Sequence, residues 1–279
     1  MKINIFVNEN PFSIPEGSTV RELRNDKAPK ADLIIVNGYP CGEEYNLKEG
    51  DHVVLITKGK APDREELEAL MVARHSPGVH ERMKTAIVGI AGLGGLGSSV
   101  AIALARMGVG TLIIADHDIV EPSNLNRQQY FIEQIGLEKT DAMKKILAMV
   151  NPHVKVITHS VILTEQNIPK LFKRVEIVVE CFDKAEEKTM LLETVAGNLP
   201  ETYVIGASGL AGFGDSNSVQ TRRIGERIFV IGDMEKAAGP GQGLMAPRVG
   251  IAAHHQANLA VSLLIDPVLA ISEIQDITD

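Results

Sequence analysis

Apolar and polar positions alternate with period two over Lys2–Val7, the pattern of a half-buried strand. Turn residues Asn8 to Asn10 follow, and Pro11 to Ile14 reads as the returning arm of a hairpin. Ser18 is placed to cap a short helix over Thr19 to Arg24, whose Val20 and Leu23 share one face. Two further strands are predicted at Asp32–Val36 and His52–Thr57, set off by the turns Asn37-Gly38 and Glu49-Gly50. Pro62-Asp63 then opens a helix with Leu67, Leu70 and Met71 on its apolar side, ending near His75 to Gly78.

Beyond residue 84 the period changes repeatedly between strand and helix. The run from Thr85 to Ser99, T-A-I-V-G-I-A-G-L-G-G-L-G-S-S, passes from a β-prone segment into glycines, and Ser98 to Arg106 continues at helical spacing. Strands are predicted at Thr111–Ala115 and Glu176–Val179, with a helix from Lys139 through Ala142, Ile146 and Met149 between them. An apolar stretch from Ile205 to Leu210 precedes two strands within Ser218–Ile231, turning at Gly225-Glu226. Ala237 to Pro247 holds too much Gly and Pro for a regular element, and Arg248 to Leu264 is a buried helix packing through Ile251, Ala252, Ala260, Val261 and Leu264. Alternation of this kind predicts an α/β fold with a largely parallel sheet.

Composition narrows the function. The 279 residues are 44% hydrophobic, enough for one large domain or two small ones with packed cores. A formal charge of −8 without a Lys/Arg block argues against nucleic acid as partner. Cys41 and Cys181 form no C-x-x-C pair, so no cysteine zinc site is expected, and a reducing cytoplasm is the expected compartment. No run approaches the roughly 18 apolar residues of a membrane span.

Gly92, Gly94, Gly95 and Gly97 lie between a strand and a helix, where bare backbone amides and the helix N-terminus receive a phosphate. Asp116 ends the next strand, nineteen residues beyond Gly97, and is placed to accept ribose hydroxyls. That much would suit NAD as well as ATP. Asn124, Arg127 and Gln128 in the following turn favour ATP, because an arginine neutralises charge that accumulates as pyrophosphate departs. Lys139 supplies a second cation. Asp183, at the end of a parallel strand facing the glycines, stands where a Mg²⁺ ligand would.

Taken together, G-x-G-G-L-G, D-x-D-x-V-x-x-S-N-L-x-R-Q, G-x-x-K and C-x-D resemble the ThiF/MoeB family of ubiquitin-activating-like adenylyltransferases, from about Arg74 to Ile265. The first sixty residues resemble the small β-grasp sulfur carriers of the ThiS and MoaD type, through element order and the E-G-D-x-V-x-L run at Glu49–Leu55. The resemblance implies a ThiS-like β-grasp domain over 1–60, a helical linker over 61–84 and a Rossmann-like ATP-binding domain with antiparallel C-terminal strands over 85–279. It further implies nucleotide contacts from Gly92, Gly94, Gly95, Asp116, Asp118, Asn124, Arg127, Gln128 and Lys139. Catalysis would fall to Arg127, Lys139 and Asp183, with Asp183 on Mg²⁺, in a homodimer.

The implied reaction is adenylation of the C-terminal Gly-Gly carboxylate of a separate ThiS-like or MoaD-like carrier, in thiamine biosynthesis. The alternative is a catalytically weak nucleotide-binding scaffold regulated by its own carrier-like domain; a nicotinamide dehydrogenase is the weakest reading. The chain departs from the family pattern in five respects. Its β-grasp segment runs on through Thr57-Lys58-Gly59-Lys60 instead of ending in Gly-Gly, and Lys184 follows the Asp183 carboxylate where relatives carry Asn or Asp. Pro77 replaces the second arginine of an R-Y-x-R-Q segment, of which only Arg74 remains. The paired C-x-x-C zinc ligands and the catalytic cysteine of some relatives are also missing, and Cys181 is read as a packing residue.

Overall fold

Alternation in the first strand is realised as a hairpin, β1 (Lys2–Val7) and β2 (Asn10–Pro15), in which Asn8 and Glu9 take positive φ. Helix α1 (Val20–Lys27) is capped by Thr19, not Ser18. The Thr19 hydroxyl accepts the Glu22 amide at 3.3 Å while the Glu22 carboxylate accepts the Thr19 amide at 2.9 Å, so the two close a capping box. Ser18 instead donates its own amide to the Pro15 carbonyl. Strands β3 (Leu33–Val36), β4 (Tyr39–Pro40) and β5 (His52–Ile56) complete a sheet in the order β2-β1-β5-β3-β4. One face carries the core, Ile5, Val20, Leu23, Val36, Val53 and Leu55; on the other, Ile35 and Val54 form a second small cluster.

The computed structural model describes residues 1–59, 67, 71, 75, 76, 78–236 and 238–276. It divides into two units, Met1–Glu81 and Arg82–Asp279. Most of the helix expected from Pro62-Asp63 lies outside the described residues, as does Arg74. Helix α2 (Val79–Thr85), which the sequence pattern did not single out, leads into the second unit.

The second unit is built on an eight-stranded sheet. Strands β6 (Ile87–Ala91), β7 (Thr111–Ala115), β8 (Lys155–His159), β9 (Ile177–Glu180) and β10 (Tyr203–Ala207) are parallel. The hairpin β11 (Gln220–Gly225) and β12 (Ile228–Gly232) adds an antiparallel pair at one side, and β13 (Gln275–Asp276) pairs with β11. The order is β13-β11-β12-β10-β9-β6-β7-β8. From β6 the chain moves outward through β7 to β8 and then returns to the other side of β6 as β9. A crevice therefore opens above the carboxyl ends of β6 and β9, where such sheets take their ligands.

Helix α3 (Gly95–Arg106) begins three residues before the expected Ser98, because the glycines themselves form its first turn. Helix α4 (Lys139–Val150) buries Ala142, Met143, Ile146 and Leu147; Met149, expected on that face, is 75% exposed. Strand β9 lies one residue later than expected. Glu176 stays outside it and pairs with Arg82, whereas Glu180 becomes its buried last residue. Short α5 (Ile168–Leu171) and α6 (Ala185–Asn198) flank β9 in sequence. Helix α7 (Ala246–Ile265) is longer than expected and buries two polar side chains, Arg248 and Gln256, while Ile251 and Val261 are only half-buried; α8 (Pro267–Ser272) follows. Between β12 and α7 the described residues form no regular element, as their composition predicts. Among the described residues no helix is long and apolar enough to cross a membrane.

Candidate nucleotide site

The glycines after β6 are there because backbone must pass close to backbone. A Cβ on Gly97 would stand 1.9 Å from the Gly92 carbonyl oxygen, and one on Gly92, whose φ is +91°, would stand 2.9 Å from the Cys181 carbonyl. Neither position admits a side chain. Gly95 is closed off by Val249, 2.9 Å away, whereas a Cβ on Gly94 would meet nothing nearer than the Gln128 amide at 3.9 Å. The N-terminus of α3, with Gly94 as a cap that offers no side-chain acceptor, thus opens onto free space. That space is a cavity of about 520 Å³ lined by the ends of β6, β7, β9 and β10. Its positive helix terminus suits an anion.

The loop after β7 is tied to the glycines by Asp116. One carboxylate oxygen accepts the Leu93 amide at 2.6 Å and the other the Asp118 amide at 2.8 Å. Tyr130 donates its hydroxyl to the Leu93 carbonyl, and burial together with the acids nearby pushes its phenol well up, so it stays a donor. Asp118 holds Lys139 twice, accepting its ammonium at 2.7 Å and its backbone amide at 2.9 Å. Burial pushes the Asp118 carboxyl up, but the Lys139 hydrogen bond and charge outweigh it and the net shift is downward. Lys139 is 5% exposed, a buried cation at the cavity wall and not the solvated helix-start lysine its position would suggest.

The turn from Asn124 to Gln128 supplies the next wall. The buried Asn124 carboxamide accepts the Glu121 amide at 3.0 Å, and the Asn124 backbone carbonyl receives the amides of Arg127 and Gln128. Arg127 is braced on the Ser123 carbonyl and the Asn126 side chain. Gln128 is buried and its Oε1 has no partner among the described residues, an acceptor left for a ligand. Asp183, exposed in the loop after β9, makes no hydrogen bond among the described residues and faces the same cavity. Gly92, Gly94, Gly95, Asp116, Asp118, Asn124, Arg127, Gln128, Lys139 and Asp183 all line this one space.

A free carboxylate beside a helix terminus suited to phosphate is a hard oxygen donor that fits Mg²⁺. The tightest group of potential ligands among the described residues is a different one, Asp116, His117 and Asp118, whose donor atoms lie within 4.8 Å of one another. Both Asp116 oxygens already accept amides there and Asp118 is neutralised by Lys139, which leaves Asp183 the least committed acid. Lys184, the next residue, pairs with Glu187.

Sequence reasoning missed a buried polar layer beneath the cavity. Glu180, 1% exposed, accepts the Phe182 amide at 2.6 Å, the Ala207 amide at 3.2 Å and the Lys188 ammonium at 2.9 Å. Burial pushes its carboxyl up; Lys188 and the two amides oppose that without cancelling it. Gln256 donates to the carbonyls of Glu180 and Ile205, joining the ends of β9 and β10 from α7. Cys181 is buried as read, with its thiol pushed well above its ordinary value by burial. The one available signal was the polar Gln256 spaced four residues from Ala252 and Ala260 on a packing face.

Comparison with known proteins identifies the family. The ThiF family profile matches residues 68–273, and a ThiS-like ubiquitin profile matches residues 3–59. The chain belongs to the ThiF family. The adenylyltransferase and sulfurtransferase UBA4 of Candida glabrata is 34% identical over 193 residues, covering 65% of this chain and 44% of that protein. UBA4 of Saccharomyces cerevisiae strain S288c is 34% identical over 158 residues, 56% of this chain and 36% of that protein. The chain therefore spans less than half the length of these curated relatives. Among solved structures, the E. coli tRNA N6-threonylcarbamoyladenosine dehydratase TcdA in complex with ATP superposes with a TM-score of 0.66 at 18% identity, over 75% of this chain and 98% of that one. E. coli MccB with AMPCPP and MccA gives 0.54 at 21% identity, over 74% and 64%. At these identities the ThiF-family chain shares their fold.

Proposed function

We propose that this ThiF-family chain binds ATP above the glycine loop and adenylates the C-terminal carboxylate of a separate ubiquitin-like carrier, releasing pyrophosphate. The supporting observation is that two cations, Arg127 and Lys139, and one free acid, Asp183, face a single cavity with the uncapped start of α3. The α3 amides receive phosphate, and Gln128 Oε1 accepts from the nucleotide. The carrier carboxylate attacks the α-phosphorus in line, forming the acyl–phosphate bond while the bond to the pyrophosphate oxygen breaks. Arg127 and Lys139 stabilise charge on the departing group; Lys139 is transferred to it from Asp118. Magnesium, when bound at Asp183, would neutralise phosphate charge.

The carrier proposed is a ThiS-like protein ending in Gly-Gly, whose slim tail would reach a buried phosphate, and the pathway proposed is thiamine biosynthesis. Exchange of pyrophosphate into ATP, with such a carrier added, is the test. Arg127→Ala and Asp183→Ala are each expected to reduce exchange by about 10²–10³; unchanged exchange overturns the assignment of roles. A MoaD-like carrier accepted in preference would move the enzyme to another pathway.

A second reading is favoured by the chain running on past β5 through Lys58 and Gly59, so that this β-grasp unit has no carboxylate there to activate. It would then regulate the site. Removal of residues 1–60 raising carrier adenylation supports this; unchanged adenylation removes it.

A further inference from the structure

Asp183 faces the cavity without a hydrogen bond of its own among the described residues, so its place is set by the backbone on either side of it. Both sides are tied to one group. Before it, Glu180 Oε1 accepts the Phe182 amide at 2.6 Å, closing a ring from side chain to backbone one residue short of Asp183. After it, α6 begins at Ala185, and Lys188 of that helix donates its ammonium to Glu180 Oε1 and Oε2 at 2.9 and 3.1 Å. The Lys188 amide also donates to the Lys184 carbonyl, so the residue following Asp183 is held from the same side. We propose that Glu180 is a positioning residue for Asp183: its buried carboxylate holds the 181–184 turn and thereby sets affinity for Mg²⁺ on the nucleotide, not for the nucleotide itself.

The carboxylate is itself fixed by groups outside that turn. Oε2 accepts the Ala207 amide at 3.2 Å, which ties it to the end of β10. A Cβ on Gly206 would stand 3.3 Å from Oε2, inside ordinary van der Waals contact, so glycine there leaves the oxygen its room. Gln256 of α7 donates to the Glu180 and Ile205 carbonyls at 3.0 and 3.3 Å, holding the backbone of the same residue. The Cys181 amide donates to the Ala91 carbonyl at 2.9 Å, so the turn starts in fixed register with the glycine loop. At 1% exposure Glu180 stands behind the cavity wall and reaches a ligand only through what it holds.

Stability alone gives little reason for a charge in this place. Desolvation offsets much of the attraction within a buried ion pair, and an apolar pair of the same volume is often as stable. What a carboxylate supplies is acceptor capacity for several donors at once. Its three donors here, Phe182, Ala207 and Lys188, all come from residues that line the cavity. One carboxylate therefore sets the turn, the end of β10 and α6 against one another, with Asp183 between two of the three ties. Groups that orient a metal-binding side chain from behind in this way govern metal affinity strongly.

This role for Glu180 rests on the reading of Asp183 as the metal-binding acid of an ATP site. The test is titration calorimetry of the full chain with AMPCPP, whose methylene bridge prevents reaction, with and without Mg²⁺. The ratio of the two affinities is the metal-linked gain, and Asp183→Asn sets its floor. In Glu180→Gln the gain is expected to fall about tenfold toward that floor, while affinity without Mg²⁺ stays within about twofold. Lys188→Met removes the tie from α6 and should lower the gain in the same direction; because the gain is a ratio, direct contact of Lys188 with the nucleotide cancels. A gain kept at the wild-type value in Glu180→Gln, or in Lys188→Met where Glu180→Gln does not fold, overturns the positioning role. Metal-free affinity falling as far as the affinity with Mg²⁺ also overturns it, since Glu180 then supports the whole site and not Asp183. A wild type without the gain, or Asp183→Asn that keeps it, removes the metal from Asp183 and this role with it. If the gain behaves as expected but no carrier-dependent pyrophosphate exchange is seen, the adenylation reading fails and the role of Glu180 stands.

Discussion

Lys139 and Asp118 make a linked pair whose behaviour with acid can be worked out. The Asp118 carboxyl titrates below its ordinary 3.8, so the pair contributes stability above that pH and loses it as pH falls through the lowered value. The melting-temperature difference between wild type and Asp118→Asn, positive at pH 7, is expected to shrink in a series taken below pH 3.8 and to vanish once the lowered value is passed. Lys139→Ala should reduce pyrophosphate exchange by about 10²–10³ and, because it breaks the same pair, lower the melting temperature at pH 7 as Asp118→Asn does. Glu180 behaves differently. Three donors surround its carboxylate, so in Glu180→Gln the new NH₂ must face one of them, and urea unfolding should show a loss of about 2–4 kcal/mol. Residues with a chemical motif around them, Arg127 or Asp183, were legible from spacing. Glu180, Arg248 and Gln256 were not, because a polar letter in an apolar run is assigned to solvent unless its buried partners are known.

Elements whose ends are set by backbone contacts were harder to place than their centres. Strands β7 and β12 follow directly from apolar, β-branched runs, and β11 from the Gly225-Glu226 turn that pairs it with β12. Helix α3 starts early because Gly95 to Gly97 are helical, although their composition reads as loop. At its start Gly97→Ala is expected to abolish ATP binding in titration calorimetry, since the added methyl would occupy the place of the Gly92 carbonyl. At α1 the ambiguity lay between adjacent hydroxyls. Either Ser18 or Thr19 could cap, and only the Glu22 partner three residues on selects Thr19. Thr19→Ala should therefore cost about 1 kcal/mol by chemical denaturation, and Ser18→Ala markedly less.

On the scale of the molecule, the β-grasp unit has its own core and the candidate site draws only on the second unit. Leu23→Ala, at a position 3% exposed in the first core, is expected to cost that unit about 2–5 kcal/mol while ATP affinity in calorimetry is unchanged. The order of the eight-stranded sheet could be foreseen in kind, since alternating strands and helices give parallel pairs. The return of β9 to the far side of β6 could not, because no local pattern encodes which edge a strand joins. That return brings the end of β9, with Asp183, beside the glycine loop.

The intolerance of the loop at Gly92 and Gly97 bears on how the enzyme could be redesigned. Its floor is backbone packed on backbone, and a library randomised there would yield mostly unfolded clones. The rim is permissive by contrast: Val161 and Ile162 are 39% and 62% exposed, and Lys236 is also partly open to solvent. Selection for a different tail or an altered base should therefore be directed at those three codons.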